Sequence, residues 1–144
     1  MAVPGGSRHY YFPVLNEEVD KIAALIAAGH PLELRVDEGR YGYTPLNLAA
    51  AEQKLRSVEA LVEGGADVNG VGAAGFTPLQ LGIKGSTPRD RELAAEIVRY
   101  LVEHGARPTA KDVELVEGLM GQRMIPIFPD DLKLLVRAAF EGQQ

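Results

Sequence analysis

The sequence predicts an all-α fold built from a repeating helix–turn–helix unit, on three observations. Thr44-Pro45-Leu46-Asn47-Leu48 is answered 33 residues later (77 − 44 = 33) by Thr77-Pro78-Leu79-Gln80-Leu81. Between the two starts the chain carries two helical stretches and then an irregular exit. No stretch reads as a central β-strand, because apolar residues recur with helical spacing rather than in alternation.

The unit from Thr44 to Asn69 is the clearest. A Thr hydroxyl accepts from the free N–H groups of a first helical turn, so Thr44 is an N-cap. Pro45 fits the first helical position, where its missing N–H costs nothing. Leu46, Leu48, Ala49 and Ala50 make a short helix with a small-residue face. Val58, Leu61 and Val62 stripe a second helix at i, i+3, i+4 spacing. Gly64 and Gly65 stop it, since glycine tolerates the left-handed helix end. Gly65-Ala66-Asp67-Val68-Asn69 closes the unit.

A period of 33 with a T-P-L-x-x-A opening and a G-A-D-V-N close resembles the ankyrin repeat. The resemblance covers residues 39–83 and 97–106 best. It implies an ankyrin-repeat solenoid: stacked antiparallel helix pairs form the stem, and hairpin-like finger loops project from it. It also implies function by protein binding rather than catalysis.

The elements follow in order. Residues 1–15 are expected to form an N-terminal lid, with the run Tyr10–Leu15 covering the end of the first repeat, because arrays need terminal caps. The alternative is an aromatic contact patch. Residues 16–40 form a degenerate first repeat: Asn16 is its expected N-cap, Val19, Ile22, Leu25 and Ile26 its buried face, and Gly29 its stop. Residues 41–73 are the second repeat. Residues 74–108 are the third, with an insertion at 84–91, where Thr87-Pro88-Arg89-Asp90 is expected to start a helix over 88–104 that buries Leu93, Ile97, Leu101 and either Ala94 or Val98. Residues 109–144 form a C-terminal capping repeat. Its first helix runs from Pro108-Thr109 to about Gly121, with Val113, Val116 and Met120 in register. Its second starts at Pro129-Asp130-Asp131 and carries Leu132, Leu135, Val136, Ala139 and Phe140 as an amphipathic stripe.

Composition sets further bounds. With 46% hydrophobic and 24% charged residues the chain is that of an ordinary folded protein. No cysteine is present, so disulfide, thiolate and cysteine–zinc chemistry are excluded. The first residues lack a signal-peptide design, and no apolar run approaches the roughly 20 residues that span a bilayer. A cytoplasmic protein, monomeric when alone and without membrane or nucleic-acid partners, is expected. The formal net charge of −5 gives a polyanion no help. It favours a protein partner with a basic surface.

Chemistry is thinly represented. His9, His30 and His104 are far apart in sequence, and His104 precedes a helix-ending glycine, where a cation suits the helix dipole. None of the serines Ser7, Ser57 and Ser86 lies in a G-x-S-x-G turn. Residues 82–87 do not meet the phosphate-loop pattern. Asp130-Asp131 suits a helix start better than a metal. No catalytic residue, cofactor or metal is expected. The alternative, an enzyme or ligand-binding site, would use the 84–91 and 122–131 loops. Asn69 matches an asparagine that some members of the family have hydroxylated, but its commoner task is to tie the finger's backbone.

The resemblance also places a partner. Finger tips and the exposed faces of first helices line a concave groove, which gives Arg40, Tyr41, Tyr43, Asn47, Glu52, Phe76, Gln80, Lys84 and Arg89 as partner-binding candidates, with Ala51, Ala73 and Ala74 beside them. Tyr and Arg dominate binding energies because each buries large area around a polar handle, so Arg40-Tyr41-Gly42-Tyr43 leads. The alternative is that Tyr43 packs on the helices beneath and only Tyr41 is free. The family's T-P-L-H histidine is Asn47 and Gln80 here, and its inter-helix Gly-His is Gln53-Lys54. An immunity or inhibitor protein that covers a basic enzyme is one concrete form of this function.

Overall fold

A computed structural model describes residues 7–36, 42–84, 90–118 and 128–143. It holds a 3-10 turn, Arg8–Tyr10, and eight α-helices: α1 (Tyr11–Leu15), α2 (Val19–Ala27), α3 (Pro45–Ala51), α4 (Leu55–Glu63), α5 (Pro78–Lys84), α6 (Arg91–Glu103), α7 (Ala110–Glu117) and α8 (Asp130–Glu141). The described residues contain no β-strand.

The helices form four pairs. Within a pair α1 meets α2, α3 meets α4, α5 meets α6 and α7 meets α8. Between pairs the first helices stack in the order α1, α3, α5, α7 and the second helices in the order α2, α4, α6, α8. Each pair buries an apolar stripe that it could not bury alone, and one continuous core results. Its largest fully buried side chains include Tyr10, Ile22, Leu46, Leu61, Leu79, Ile97, Leu101 and Leu132.

The caps follow the sequence in most places. Thr44 accepts from the Asn47 N–H, and Asn47 reaches back to the Thr44 N–H, closing a capping box. Gln80 and Thr77 exchange the same two bonds, as do Asp112 and Thr109. The second helices α2, α4 and α6 end alike: Gly29, Gly65 and Gly105 all hold positive φ, at 89°, 105° and 101°. The residue after each glycine donates to a carbonyl five residues back, so the helix's last acceptors are satisfied. α8 buries Leu132 and Val136 and half-buries Leu135, Ala139 and Phe140, the predicted stripe.

Several expectations are corrected. The Tyr10–Leu15 run is helical: α1 packs on α3 as α3 packs on α5 and is the first helix of the first pair. Asn16 is the C-cap of α1, not the N-cap of α2. Glu17 follows with φ 51° and Glu18 caps α2. Gln53, between α3 and α4, holds φ 58° in the same way. α6 begins at Arg91, because Asp90 itself is the N-cap, its carboxylate accepting the Leu93 N–H at 2.9 Å. Both Ala94 and Val98 are buried on it, with Leu93 half-buried. α7 stops at Glu117, where Gly118 turns left-handed at φ 74°. Thr87, Pro88 and Met120 lie outside the described residues.

Candidate functional site

The finger side is built from loops that leave each second helix and return to the next first helix. In the first finger the Val36 N–H donates to the Tyr43 carbonyl at 2.9 Å. In the second, the Ala73 N–H donates to the Gly42 carbonyl at 3.1 Å and so joins the two fingers. Gly72 sits where they approach most closely. A Cβ there would run into the Gly42 carbonyl oxygen and lie 2.7 Å from Asn47 Oδ1, so this place requires glycine.

Side chains then tie each layer to the next. Glu33 accepts the Asp67 N–H at 2.8 Å. Asn69, its equivalent 36 residues on (69 − 33 = 36, as 65 − 29 = 36), accepts the Arg107 N–H at 2.8 Å and donates to the Gly105 carbonyl at 3.1 Å. Glu17 accepts the Arg56 N–H at 2.9 Å. Gln53 grips Asp90 twice, accepting its N–H at 3.0 Å and donating to its carbonyl at 2.9 Å. The left-handed conformation of Glu17 and Gln53 costs about 1 kcal/mol or more each. These bonds offset part of that cost.

The candidates fall into four groups. Asn47 is wholly buried, as is Ala51, and every residue of α3 is covered. This corrects the expectation that they face a partner. With its carbonyl oxygen on the Thr44 N–H, the Asn47 amide donates to the Gly70 carbonyl at 3.0 Å, and so fastens the finger to the helix start. Phe76 and Lys84 are brought together: the exposed Lys84 ammonium stands 5.0 Å from the Phe76 ring centroid, within cation–π range. Gln80, one turn before Lys84, is half-buried by its capping role. Glu52 is exposed at the C-cap of α3, while Tyr43 is half-buried and packs on the core. Arg40, Tyr41 and Arg89 lie outside the described residues, as do most of the 84–91 and 122–131 loops.

One member of this neighbourhood escaped the sequence reading. Asp112 stands in α7 where Asn47 stands in α3 and Gln80 in α5, three residues after the capping Thr. That spacing was the available signal. Its side chain is buried, Oδ2 accepts the Thr109 N–H at 2.9 Å, and Oδ1 has no hydrogen-bond partner. Burial pushes the carboxyl above its ordinary range. The Thr109 hydrogen bonds, the Lys84 charge and the Gln80 amide act in the opposite direction.

The histidines serve structure. His104 Nδ1 lies 2.8 Å from the Tyr100 carbonyl oxygen and its ring stacks on Tyr100 at 3.9 Å. Burial, then the charges of Glu63 and Glu59, raises the Tyr100 hydroxyl. Tyr10 is pushed up to about 12 by burial and donates to the His30 carbonyl at 2.8 Å. Among the described residues no group of three or more metal-ligating side chains converges, and no helix is long and apolar enough to cross a membrane.

Comparison with known proteins agrees with this architecture. No curated protein sequence matches the chain. The family described as ankyrin repeats, in three copies, matches residues 14–112. Proteins built from these repeats are generally protein–protein interaction modules and typically not enzymes. Stacked helix pairs, positive-φ glycines after α2, α4 and α6, and fingers bonded to one another are thus explained together: the chain belongs to the ankyrin repeat family.

Proposed function

We propose that the protein recognises one folded protein partner through the face formed by its fingers and the exposed ends of its first helices. What supports this reading is a contrast between scaffold and surface. The backbone of the fingers is bonded layer to layer, while Ala73, Ala74 and Lys84 stand exposed on it and Phe76 lies under Lys84. A surface held in shape before binding loses less conformational freedom on association. Glu52, Phe76 and Lys84 are the contacts we assign among the described residues, with Arg40, Tyr41 and Arg89 assigned from the sequence pattern. The net charge of −5 favours a partner of basic surface, and an inhibitor or immunity role in the cytoplasm is the form we assign.

The test is capture of partners with the tagged protein, followed by binding titrations of purified Phe76→Ala, Lys84→Ala and Arg40→Ala/Tyr41→Ala variants. Loss of about 2 kcal/mol or more of binding energy is expected for the anchors, with the melting temperature followed beside it because Phe76 also packs on the core. Unchanged affinity in all three variants would overturn the assignment of this face.

A further inference from the structure

We propose that Asp112 makes the C-terminal helix pair a proton-responsive end of the stack: its buried carboxylate loosens the seating of α7 when ionised and secures it when protonated. The geometry rests on a comparison with Asn47. Both side chains stand three residues after a capping Thr, and each accepts that Thr's N–H through one oxygen. Their second atoms differ. Asn47 Nδ2 is a donor and finds the Gly70 carbonyl at 3.0 Å. Asp112 Oδ1 can only accept while ionised, and it is buried with no partner in hydrogen-bond geometry; the Gln80 amide acts on the carboxyl least of the groups around it. An unpaired buried acceptor on a charged group is costly. A proton removes the charge and gives this side chain an O–H donor, as the amide gives Asn47 its N–H.

The groups around it do not neutralise the charge in full. From α5, Gln80 and Lys84 act on Asp112, yet burial outweighs them. From its own helix start, the Thr109 hydroxyl and N–H are already engaged in the capping box. On α8, packed against the same helix, Arg137 is bound to Glu117 at 2.7 Å, Asp131 to Arg99 at 3.0 Å, and Lys133 to Asp130 at 3.7 Å.

The sign follows from linkage. The folded state holds the Asp112 proton to a higher pH than the unfolded chain, whose ordinary value is 3.8. Stability from this group is therefore complete below that value and is lost as pH rises through the folded-state value.

The experiment compares wild type with Asp112→Asn, the residue already present at position 47. As the pH is lowered from neutral toward the ordinary aspartate value of 3.8, Asp112 takes up its proton and contributes a rise of roughly 3 °C to the wild-type melting temperature. Asp112→Asn should melt higher than wild type at the upper pH and lose that rise. The same rise persisting in the variant would overturn the proposal. A carboxyl-carbon NMR titration of the wild type gives a second reading that needs no variant. An Asp112 midpoint above the ordinary aspartate value supports the proposal, and one at or below it overturns it.

Discussion

Helix α8 turns Asp130, Asp131, Arg137 and Glu141 toward water together with Leu134, whereas α2, at the other end of the stack, turns out Ala23, Ala24 and Ala27 beside Asp20 and Lys21. Among the described residues both are outermost second helices with a neighbour on one side only. α8 sets its charges around one large exposed apolar side chain, Leu134 at 69% exposure, while the apolar side chains that α2 exposes are small. The first helices show what a missing neighbour costs. Phe12 in α1 is 68% exposed, while Leu48, its equivalent in α3 (48 − 12 = 36), is 7% exposed with α1 packed beside its helix. One repeat pattern therefore serves two purposes. In the middle it specifies stacking, and at the ends it must be broken.

The sharpest way to break this comparison is to attack the part both ends share. Leu61, fully buried between layers, cut to Ala should cost about 3 kcal/mol. Chemical denaturation should still show one transition, because the core is continuous. Two separated transitions would mean that the ends are independent bodies. Asn47→Ala should cost about 2 kcal/mol, since it leaves the buried Thr44 N–H and the Gly70 carbonyl without their partner. Exchange of the finger amides, Ala73 among them, should speed up most.

A smaller effect is expected at the charged end. Arg137 holds Glu117 through two hydrogen bonds, at 2.7 and 2.8 Å, and so clasps α8 to α7. The clasp holds Glu117 below the ordinary glutamate value of 4.5, so its stabilisation is present above that value and lost as pH falls through the folded-state one. Arg137→Ala should lower the melting temperature slightly at neutral pH and not at all in strong acid, by calorimetry. Asp112 acts in the opposite sense, its contribution falling as pH rises. The least effect is expected at the N-terminal end. Phe12→Ala should stay within about 0.5 kcal/mol of wild type, against about 2 kcal/mol for Leu48→Ala, both by denaturant titration.

The stem was legible in the sequence because the physics that builds it is local. Thr-Pro starts, stop glycines and 3.6-residue stripes are written within single turns of helix. α1 was missed for the same reason: Arg8-His9 stands where the other repeats have a capping Thr and a following residue suited to a first turn, so its start carries no signal. The left-handed Glu17 and Gln53 were hidden because neither is glycine. What holds them is a bond to the next layer, 39 and 37 residues away. The candidate site was less legible. The family pattern marks Asn47 and Ala51 as positions on a face, but it does not contain the packing that covers all of α3.

The double grip of Gln53 on Asp90 reaches beyond stability. The first turn of α6 is held by a different layer, through Gln53. The position of α6 is therefore fixed from the second repeat as well as from its own.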